Sequence, residues 1–150
     1  MTGLAVRRAT ESDCGAIASL CVDHAGFEGG VALTTGLGEK LGAALRVENT
    51  RLVAWVACRA ESVMGFASAS PVFSTWQGSE FLHLDCLYLA PVARGQGGGI
   101  GLMNSVRAYA ADAGYGWLEW QTPPWNAAAI EFYNRYGATA TPRLRYSISV

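Results

Sequence analysis

One stretch of this sequence, residues 84–114, constrains the fold more than any other. It begins with the run LDCLYL, which has the length and apolar character of a buried strand and is followed by Pro91. The glycine-rich segment RGQGGG comes next, and apolar residues then recur at helical spacing until Gly114. The stretch therefore predicts a strand, a glycine loop and a helix, in that order.

The glycine loop suits an anionic ligand, because a helix that begins there offers unpaired backbone N–H groups and the positive end of its dipole. Glycine also lets a ligand approach the amides, since it has no Cβ. The spacing is not that of a P-loop, because no Gly-Lys-Ser/Thr follows, and the glycines do not fall as GxGxxG. We expect a phosphate or pyrophosphate site here, with a flexible turn as the alternative.

Length and composition indicate one domain spanning residues 1–150. Hydrophobic residues make up 51% of the chain and charged residues 15%, which argues against disorder. The net charge of −1 gives no electrostatic basis for binding nucleic acid. No apolar run is long enough to span a membrane, and Met1 is not followed by the pattern of a signal peptide. We expect a soluble, cytoplasmic protein that binds neither membrane nor nucleic acid.

The cysteines do not suggest a metal site. Cys14, Cys21, Cys58 and Cys86 form no CxxC pair and have no histidine at ligand spacing. Most of them lie in apolar stretches and are best explained as buried thiols. We therefore expect no bound metal.

The rest of the chain predicts a mixture of strands and helices, from period-two and helical patterns and from capping residues. The predicted strands are 4–8, 52–58, 63–70, 117–122 and 143–150. Helices are predicted after Thr10 or Ser12, from Thr34 or Thr35 to Leu45, and after Asn126, with loops at 24–31 and 73–80.

Two motifs resemble those of the GNAT superfamily, the acyl-CoA-dependent N-acetyltransferases. Arg94-x-x-Gly97-x-Gly99 matches the superfamily signature Q/R-x-x-G-x-G/A. The segment 126–133, NAAAIEFY, followed by YGA at 136–138, is similar to the second motif, N-x-x-A-x-x-x-Y with a G-F or G-A. The chain is identified as a member of this superfamily by both motifs in the right order.

A narrower resemblance joins the chain to the diamine (spermidine/spermine) and thialysine acetyltransferase branch. The segments FSTW at 73–76, LDCLYL at 84–89, LEW at 118–120 and WN at 125–126 are similar to that branch. The chain differs from it at Cys86 and Pro124, where the branch carries acidic residues.

The resemblance implies an α/β fold (an α+β mixed sheet) with about six to seven strands flanked by about four helices. The strands 84–89 and 117–122 would run parallel and then splay apart at the cofactor site. Strict alternation would put Asp85 on one face with Leu87 and Leu89, and a β-bulge, frequent in the family, would change that.

The cofactor implied by the resemblance is acetyl-CoA, with CoA as the product. Its pantetheine arm would pair with the backbone at Leu87 and Leu89, and its pyrophosphate would bind amides from Gln96 to Ile100. The cofactor-binding candidates are Leu87, Tyr88, Leu89, Arg94, Gly95, Gln96, Gly97, Gly98, Gly99, Ile100, Asn126, Ala129, Phe132 and Tyr133.

Two side chains are the catalytic candidates. Family members with the second motif use the tyrosine at the position of Tyr133 to protonate the departing thiolate, and a phenol of pKa about 10 can do so at neutral pH. Without the motif, Tyr133 would be interpreted as a core residue beside Phe132. Asp85 is the candidate base, acting through water or attracting the cation, with His83 and Glu119 as alternatives.

The predicted reaction moves an acetyl group to a primary amine of a small cationic substrate, such as a diamine, a polyamine or a lysine-like amino acid, by direct attack in a ternary complex. The substrate-binding candidates are Phe27, Glu28, Asp85 and Glu119. The alternatives are acetylation of an aminoglycoside or another amine antibiotic, acetylation of a protein, and a CoA-binding sensor domain without turnover. The resemblance also implies a homodimer.

Overall fold

The computed structural model describes residues 3–46 and 51–150, and within them it contains a five-stranded sheet and four α-helices. The strands are β1 (Ala5–Arg8), β2 (Val53–Arg59), β3 (Ser62–Ser74), β4 (Ser79–Leu89) and β5 (Leu118–Glu119). The α-helices are α1 (Cys14–Phe27), α2 (Leu37–Leu45), α3 (Gly98–Asp112) and α4 (Ala127–Tyr136). The residues cluster into two compact units, Met1–Trp120 and Gln121–Val150.

The sheet has the order β1-β2-β3-β4-β5, and its neighbouring strands are antiparallel except for β4 and β5, which are parallel. This arrangement confirms the predicted mixed sheet, with fewer strands than the six or seven expected. The predicted last strand, 143–150, is not formed within the described residues. The alternating apolar side chains of this segment are exposed to solvent. The alternating pattern alone does not make a strand, because a strand also needs a hydrogen-bonded neighbour.

The core of the first unit lies on both faces of the sheet. Every residue of β2 from Val53 to Cys58 is buried, as expected of a strand covered on both sides. On one face, Ile17 and Leu20 of α1 pack with Phe66 of β3 and other apolar residues. On the other face lies α3, where Tyr109 contacts Trp55 with a ring-centroid distance of 5.5 Å.

A β-bulge interrupts the pairing of β3 and β4. Ser68 pairs with Cys86 and Ala69 pairs with Leu84, so that Asp85 is the extra residue on β4. The strict alternation of residues 84–89 is therefore broken at Asp85, and Leu84 and Leu87 pair with residues of the same β3 face. The expectation that Asp85 shares a face with Leu87 and Leu89 is wrong for this reason.

Three predicted boundaries differ from the structure. The helix α1 continues to Phe27 where a loop was expected from residue 24, because His24 stacks on Tyr88 at 5.1 Å and holds the last turn against the sheet. The helix α2 begins after Gly36 in place of a threonine cap. The strand β5 covers only Leu118–Glu119 of the predicted 117–122, because its ladder with β4 ends there.

The predicted loop 73–80 is also shorter than expected. Strand β3 extends to Ser74 and β4 starts at Ser79, so that a tight hairpin joins them. Gly78, with φ of 62°, adopts the left-handed conformation that the turn requires. Phe73 and Glu80 are therefore paired strand residues.

Asp13 joins β1 to the start of α1. Its carboxylate accepts hydrogen bonds from Arg7 Nη1 at 2.8 Å, Arg7 Nη2 at 2.9 Å and the Thr10 backbone N–H at 2.7 Å. The Arg7 guanidinium, with the Thr10 N–H, lowers the pKa of Asp13 to about 2, against the opposing effect of burial. Thr10 caps the short helical turn that leads into α1, which confirms it as one of the two predicted caps.

We predict that Asp13→Asn costs about 1–2 kcal/mol of unfolding free energy at pH 7, since a cap and a charge-assisted pair are lost. Because the folded-state pKa lies below the ordinary value of 3.8, the stabilisation is complete above that value and is lost as the pH falls toward 2. Urea unfolding between pH 7 and pH 2.5 measures the difference in unfolding free energy between the variant and the wild type. This difference should shrink below about pH 4. The exposed Asp112→Asn serves as the control, and a difference independent of pH would contradict the assignment.

Candidate functional site

The strands β4 and β5 are hydrogen-bonded at one end only. Leu82 pairs with Leu118 and His83 pairs with Glu119, and in the described residues the ladder goes no further. Strand β4 continues to Leu89, six residues beyond the last pair. The edge of β4 that faces β5 therefore carries backbone groups open to pairing with an extended ligand. This is the splayed pair of parallel strands that the family resemblance implies.

The glycine loop lies at the open end of that edge. Gly95 and Gly97 have φ of 73° and 81°, a conformation that favours glycine, and Gly97 is the N-cap of α3. The helix starts at Gly98, where an added Cβ would come within 2.7 Å of Leu4 Cδ1 and 3.1 Å of Leu89 Cδ2. With glycine here, Leu4 and Leu89 pack directly against the helix start without moving, and the first amides of α3 lie at the end of β4.

Side chains hold the loop in place. Arg94 Nε donates to the Leu89 carbonyl at 3.1 Å, and its guanidinium lies over the rings of Tyr88 and Phe27 at 5.7 and 5.6 Å. Arg59 Nη2 donates to Gln96 Oε1 at 2.8 Å. Arg59 was not a predicted site residue, and its partner lies 37 positions away in the sequence, where no local pattern could reveal it.

A cavity of about 240 Å³ opens on the sheet face that α1 covers. Its lining is Ile17, Cys21, Ala32, Leu33, Leu37, Leu41, Leu45, Leu52, Ala54, Phe66, Ser68, Asp85 and Cys86. Among these described residues, Asp85 has the only carboxylate, and none is a lysine, an arginine or a histidine. The bulge in β4 thus presents one carboxylate to a largely aliphatic cavity.

Two thiols stand beside that carboxylate. Cys86 Sγ donates to Asp85 Oδ2 at 3.7 Å. Burial, with the negative charge of Asp85, raises the pKa of Cys86 to about 12, and the same two causes raise the pKa of Cys21. Both thiols are therefore protonated at neutral pH, and they add polarisable surface but no charge to the cavity.

The other acidic and aromatic candidates lie outside the cavity lining. Phe27 is exposed at the end of α1, under Arg94, and Glu28 Oε1 lies 3.3 Å from His24 Nε2. Glu119 is exposed on β5, opposite His83 of β4. In the first unit, the structure groups Phe27, Tyr88 and Arg94 with the glycine loop and leaves Asp85 as the acidic candidate that lines the cavity.

The second unit carries the remaining candidates on α4. Asn126 caps the helix as predicted, since its Oδ1 accepts a hydrogen bond from the Ala129 N–H at 3.2 Å. Gly137, with φ of 95°, ends the helix. The half-buried ring of Tyr133 packs edge-on against Phe132, with centroids 5.3 Å apart.

All four cysteines are free thiols. Within residues 3–46 and 51–150, no cluster of three or more His, Cys, Asp or Glu side chains has the arrangement of a metal site. No helix in that part of the chain has the length and apolar character that a membrane crossing demands.

Comparison with known proteins points to one family. Residues 34–138 match the family model described as "Acetyltransferase (GNAT) family". The chain is 27% identical to the thialysine N-epsilon-acetyltransferase of Bos taurus over 150 aligned positions, which cover 92% of this chain and 85% of the relative. An uncharacterised N-acetyltransferase of Bacillus subtilis is 30% identical over 132 positions, covering 88% and 87% of the two chains.

Solved structures show the same fold. A probable acetyltransferase superposes with a TM-score of 0.81 at 21% identity, covering 97% of both chains. An aminoglycoside acetyltransferase from an uncultured soil sample, in complex with trehalose, superposes with a TM-score of 0.78 at 18% identity, covering 98% of this chain and 95% of that one. At these identities the likeness concerns the fold.

We predict that iodoacetamide alkylates Cys86 at least a hundredfold more slowly than free glutathione at pH 8, because only the thiolate reacts and its pKa is about 12. Mass spectrometry of the peptide that contains Cys86 measures the rate. The same peptide in 6 M guanidinium is the control and should react at the rate of a free thiol. Equal rates in folded and unfolded protein would contradict the predicted environment.

Proposed function

Given that the chain belongs to the acetyltransferase (GNAT) family, we propose that this N-acetyltransferase moves an acetyl group from acetyl-CoA to a primary amine of a small cationic substrate. The amine attacks directly in a ternary complex. The observation that carries the proposal is the open edge of β4, which ends at the glycine loop and has the Asp85 cavity beside it.

The residues of the first unit suit acetyl-CoA. The backbone of β4 at Leu87 and Leu89 offers hydrogen bonds to an extended pantetheine arm, and the first amides of α3, Gly98 to Ile100, suit its phosphates. A Cβ at Gly95 or Gly97 would meet no atom within 4 Å, so the loop has open space in front of it. When bound, the cofactor supplies an acetyl group activated as a thioester.

The loop residues contribute mainly by positioning. Arg94 donates a hydrogen bond to the Leu89 carbonyl and lies over two aromatic rings. Gln96 accepts a hydrogen bond from Arg59. These contacts hold the loop against the end of β4. A backbone N–H of β4 near the bulge would polarise the acetyl carbonyl, as in an oxyanion hole. Asn126, Ala129 and Phe132 remain cofactor-binding proposals from the family resemblance.

Asp85 receives the ammonium group of the substrate and accepts its proton, directly or through water. Its carboxylate lines the cavity, whereas the competing candidates His83 and Glu119 face each other across β4 and β5, outside the lining. The carboxylate is exposed at the edge of the cavity, so that an ammonium group can reach it from solvent. Tyr133 gives its phenolic proton to the departing thiolate, a role proposed from the second motif.

A small amine is the favoured acceptor. Relatives named thialysine N-epsilon-acetyltransferase, from Bos taurus among others, support a small substrate that is acetylated on an amine nitrogen. The cavity, at about 240 Å³, suits a small molecule better than an aminoglycoside or a protein terminus. The retained carboxylate at Asp85 favours turnover over a sensor that only binds CoA.

Two further proposals concern the setting of the enzyme. We propose a homodimer from the family resemblance, supported by the exposure of four apolar side chains that an interface could cover: Leu144, Tyr146, Ile148 and Val150. The four free thiols suit a reducing, cytoplasmic compartment.

We predict that Tyr133→Phe lowers kcat about a hundredfold and leaves the Kd for CoA within twofold, because only the proton donor is removed. Thiol release from acetyl-CoA measures kcat, and calorimetry measures CoA binding. Tyr136→Phe, three residues along the same helix, is the matched control. An unchanged kcat in Tyr133→Phe would remove the general-acid role.

We predict that Asp85→Asn lowers kcat/KM for amines at least a hundredfold and shifts the pH dependence of the remaining activity to higher pH, where the free amine is present. Glu80→Gln, an exposed carboxylate on the same strand, should keep full activity. If Asp85→Asn retains the kcat/KM of the wild type from pH 6 to pH 9, Asp85 is neither the base nor the cation site.

A further inference from the structure

The walls of the cavity are mostly apolar, and their polar side chains lie on one side. Three leucines of α2, Leu37, Leu41 and Leu45, line it together with Leu33 and Leu52. The sheet side adds Phe66 and Ala54, and the polar oxygens of the lining come from Ser68 and Asp85. A ligand in this cavity meets one carboxylate, one hydroxyl and two thiols on one side, and hydrocarbon over most of the remaining wall.

Neighbouring charges do not extend into the cavity. Glu28 lies beside His24, and Glu11 is paired with Arg46, so that these carboxylates are engaged outside the lining. The thiols of Cys21 and Cys86 are neutral at pH 7. A second ammonium group on the ligand would therefore lie against half-buried leucine side chains without a counter-charge and would lose part of its hydration, which is unfavourable.

Size also limits the ligand. The cavity has a volume of about 240 Å³. Because one molecule occupies about 30 Å³ in liquid water, this volume equals that of roughly eight water molecules. An amine with about eight non-hydrogen atoms would fill it. Two such amines, n-heptylamine and 1,6-diaminohexane, have the same length and differ in one end group, a methyl or a second ammonium.

We infer that the acceptor is a monoamine, with one ammonium group held by Asp85 and a hydrocarbon body that fills the leucine-lined cavity. This inference rests on the proposed function and narrows its substrate class, since a diamine or a polyamine would place its second charge in the apolar wall. The primary amine then stands at the carboxylate, on the exposed side of the bulge, and the body extends away from it.

Calorimetric binding to the full chain, without acetyl-CoA, tests the inference independently of turnover. We expect n-heptylamine to bind at least tenfold more tightly than 1,6-diaminohexane at pH 7.5. Across n-propylamine to n-heptylamine, each methylene should tighten binding roughly threefold, as expected for burial of a CH₂ group. Equal or tighter binding of the diamine, no dependence on chain length, or no binding of either amine would each overturn the inference.

A pair of variants locates the hydrocarbon body in the cavity. Leu33 lines the cavity and is 49% exposed, so that Leu33→Glu can introduce a carboxylate with little risk to folding. The measured quantity is the ratio of the affinity for 1,6-diaminohexane to the affinity for n-heptylamine. The Leu33→Glu variant should raise this ratio at least fivefold. Val31→Glu, in the same loop at a 96% exposed position outside the lining, should leave the ratio unchanged. The same ratio in both variants would contradict the inference.

Turnover is measured separately, as thiol release from acetyl-CoA with each amine. Release with 1,6-diaminohexane at a kcat/KM equal to that with n-heptylamine would overturn the inference and leave the proposed function standing. Release with no amine of the panel, alongside the expected binding preference, would overturn the proposed function and leave the monoamine preference standing.

Discussion

The register between β3 and β4 is the constraint on which the functional features of the first unit depend. A bulge accommodates one extra residue, Asp85, on β4. The alternation of side chains between the two faces of the sheet is therefore shifted by one residue after the bulge. Upstream, Leu82 and Leu84 are buried against the core, and downstream, Tyr88 packs toward α1. Without the bulge, β4 could not both bury its apolar residues and present a carboxylate to the cavity.

The same strand carries a second feature, its open edge. A parallel pair that stops after two residues leaves backbone donors and acceptors available, a condition that folded proteins normally avoid. Here the edge ends where Gly98 packs against Leu89, so that a strand edge and a helix N-terminus come together. The proposed cofactor, a long ligand with a peptide-like arm and phosphate groups, would match both features, so that we propose the glycine loop and the strand as one site.

Part of this arrangement could be predicted from the sequence. The strand, loop and helix of residues 84–114 and the cap at Asn126 depend on local patterns, which a single sequence displays directly. The side of the sheet that Asp85 faces depends on pairing with β3, and the short β5 depends on where two strands diverge. The contact of Arg59 with Gln96 joins residues 37 positions apart. Such features arise from tertiary packing, and no local pattern encodes them.

The cavity shows how one substitution in a motif changes the chemistry. The similar branch has two acidic residues in the triplet that here reads Leu84-Asp85-Cys86. The thiol of Cys86 stays neutral, since burial and Asp85 raise its pKa to about 12. A cavity with one negative charge and leucine walls selects by hydrocarbon contact as well as by charge.

Backbone hydrogen exchange with and without CoA tests the central claim most directly, because it reports on the amides themselves. We predict that saturating CoA slows exchange at least tenfold at Gly98, Gly99 and Ile100 and at the amides of Leu87 and Leu89 on β4. The amides of β2, on the far side of β3, should be unaffected. Unchanged exchange at both the α3 amides and the β4 edge, with CoA bound, would contradict the assignment of this site.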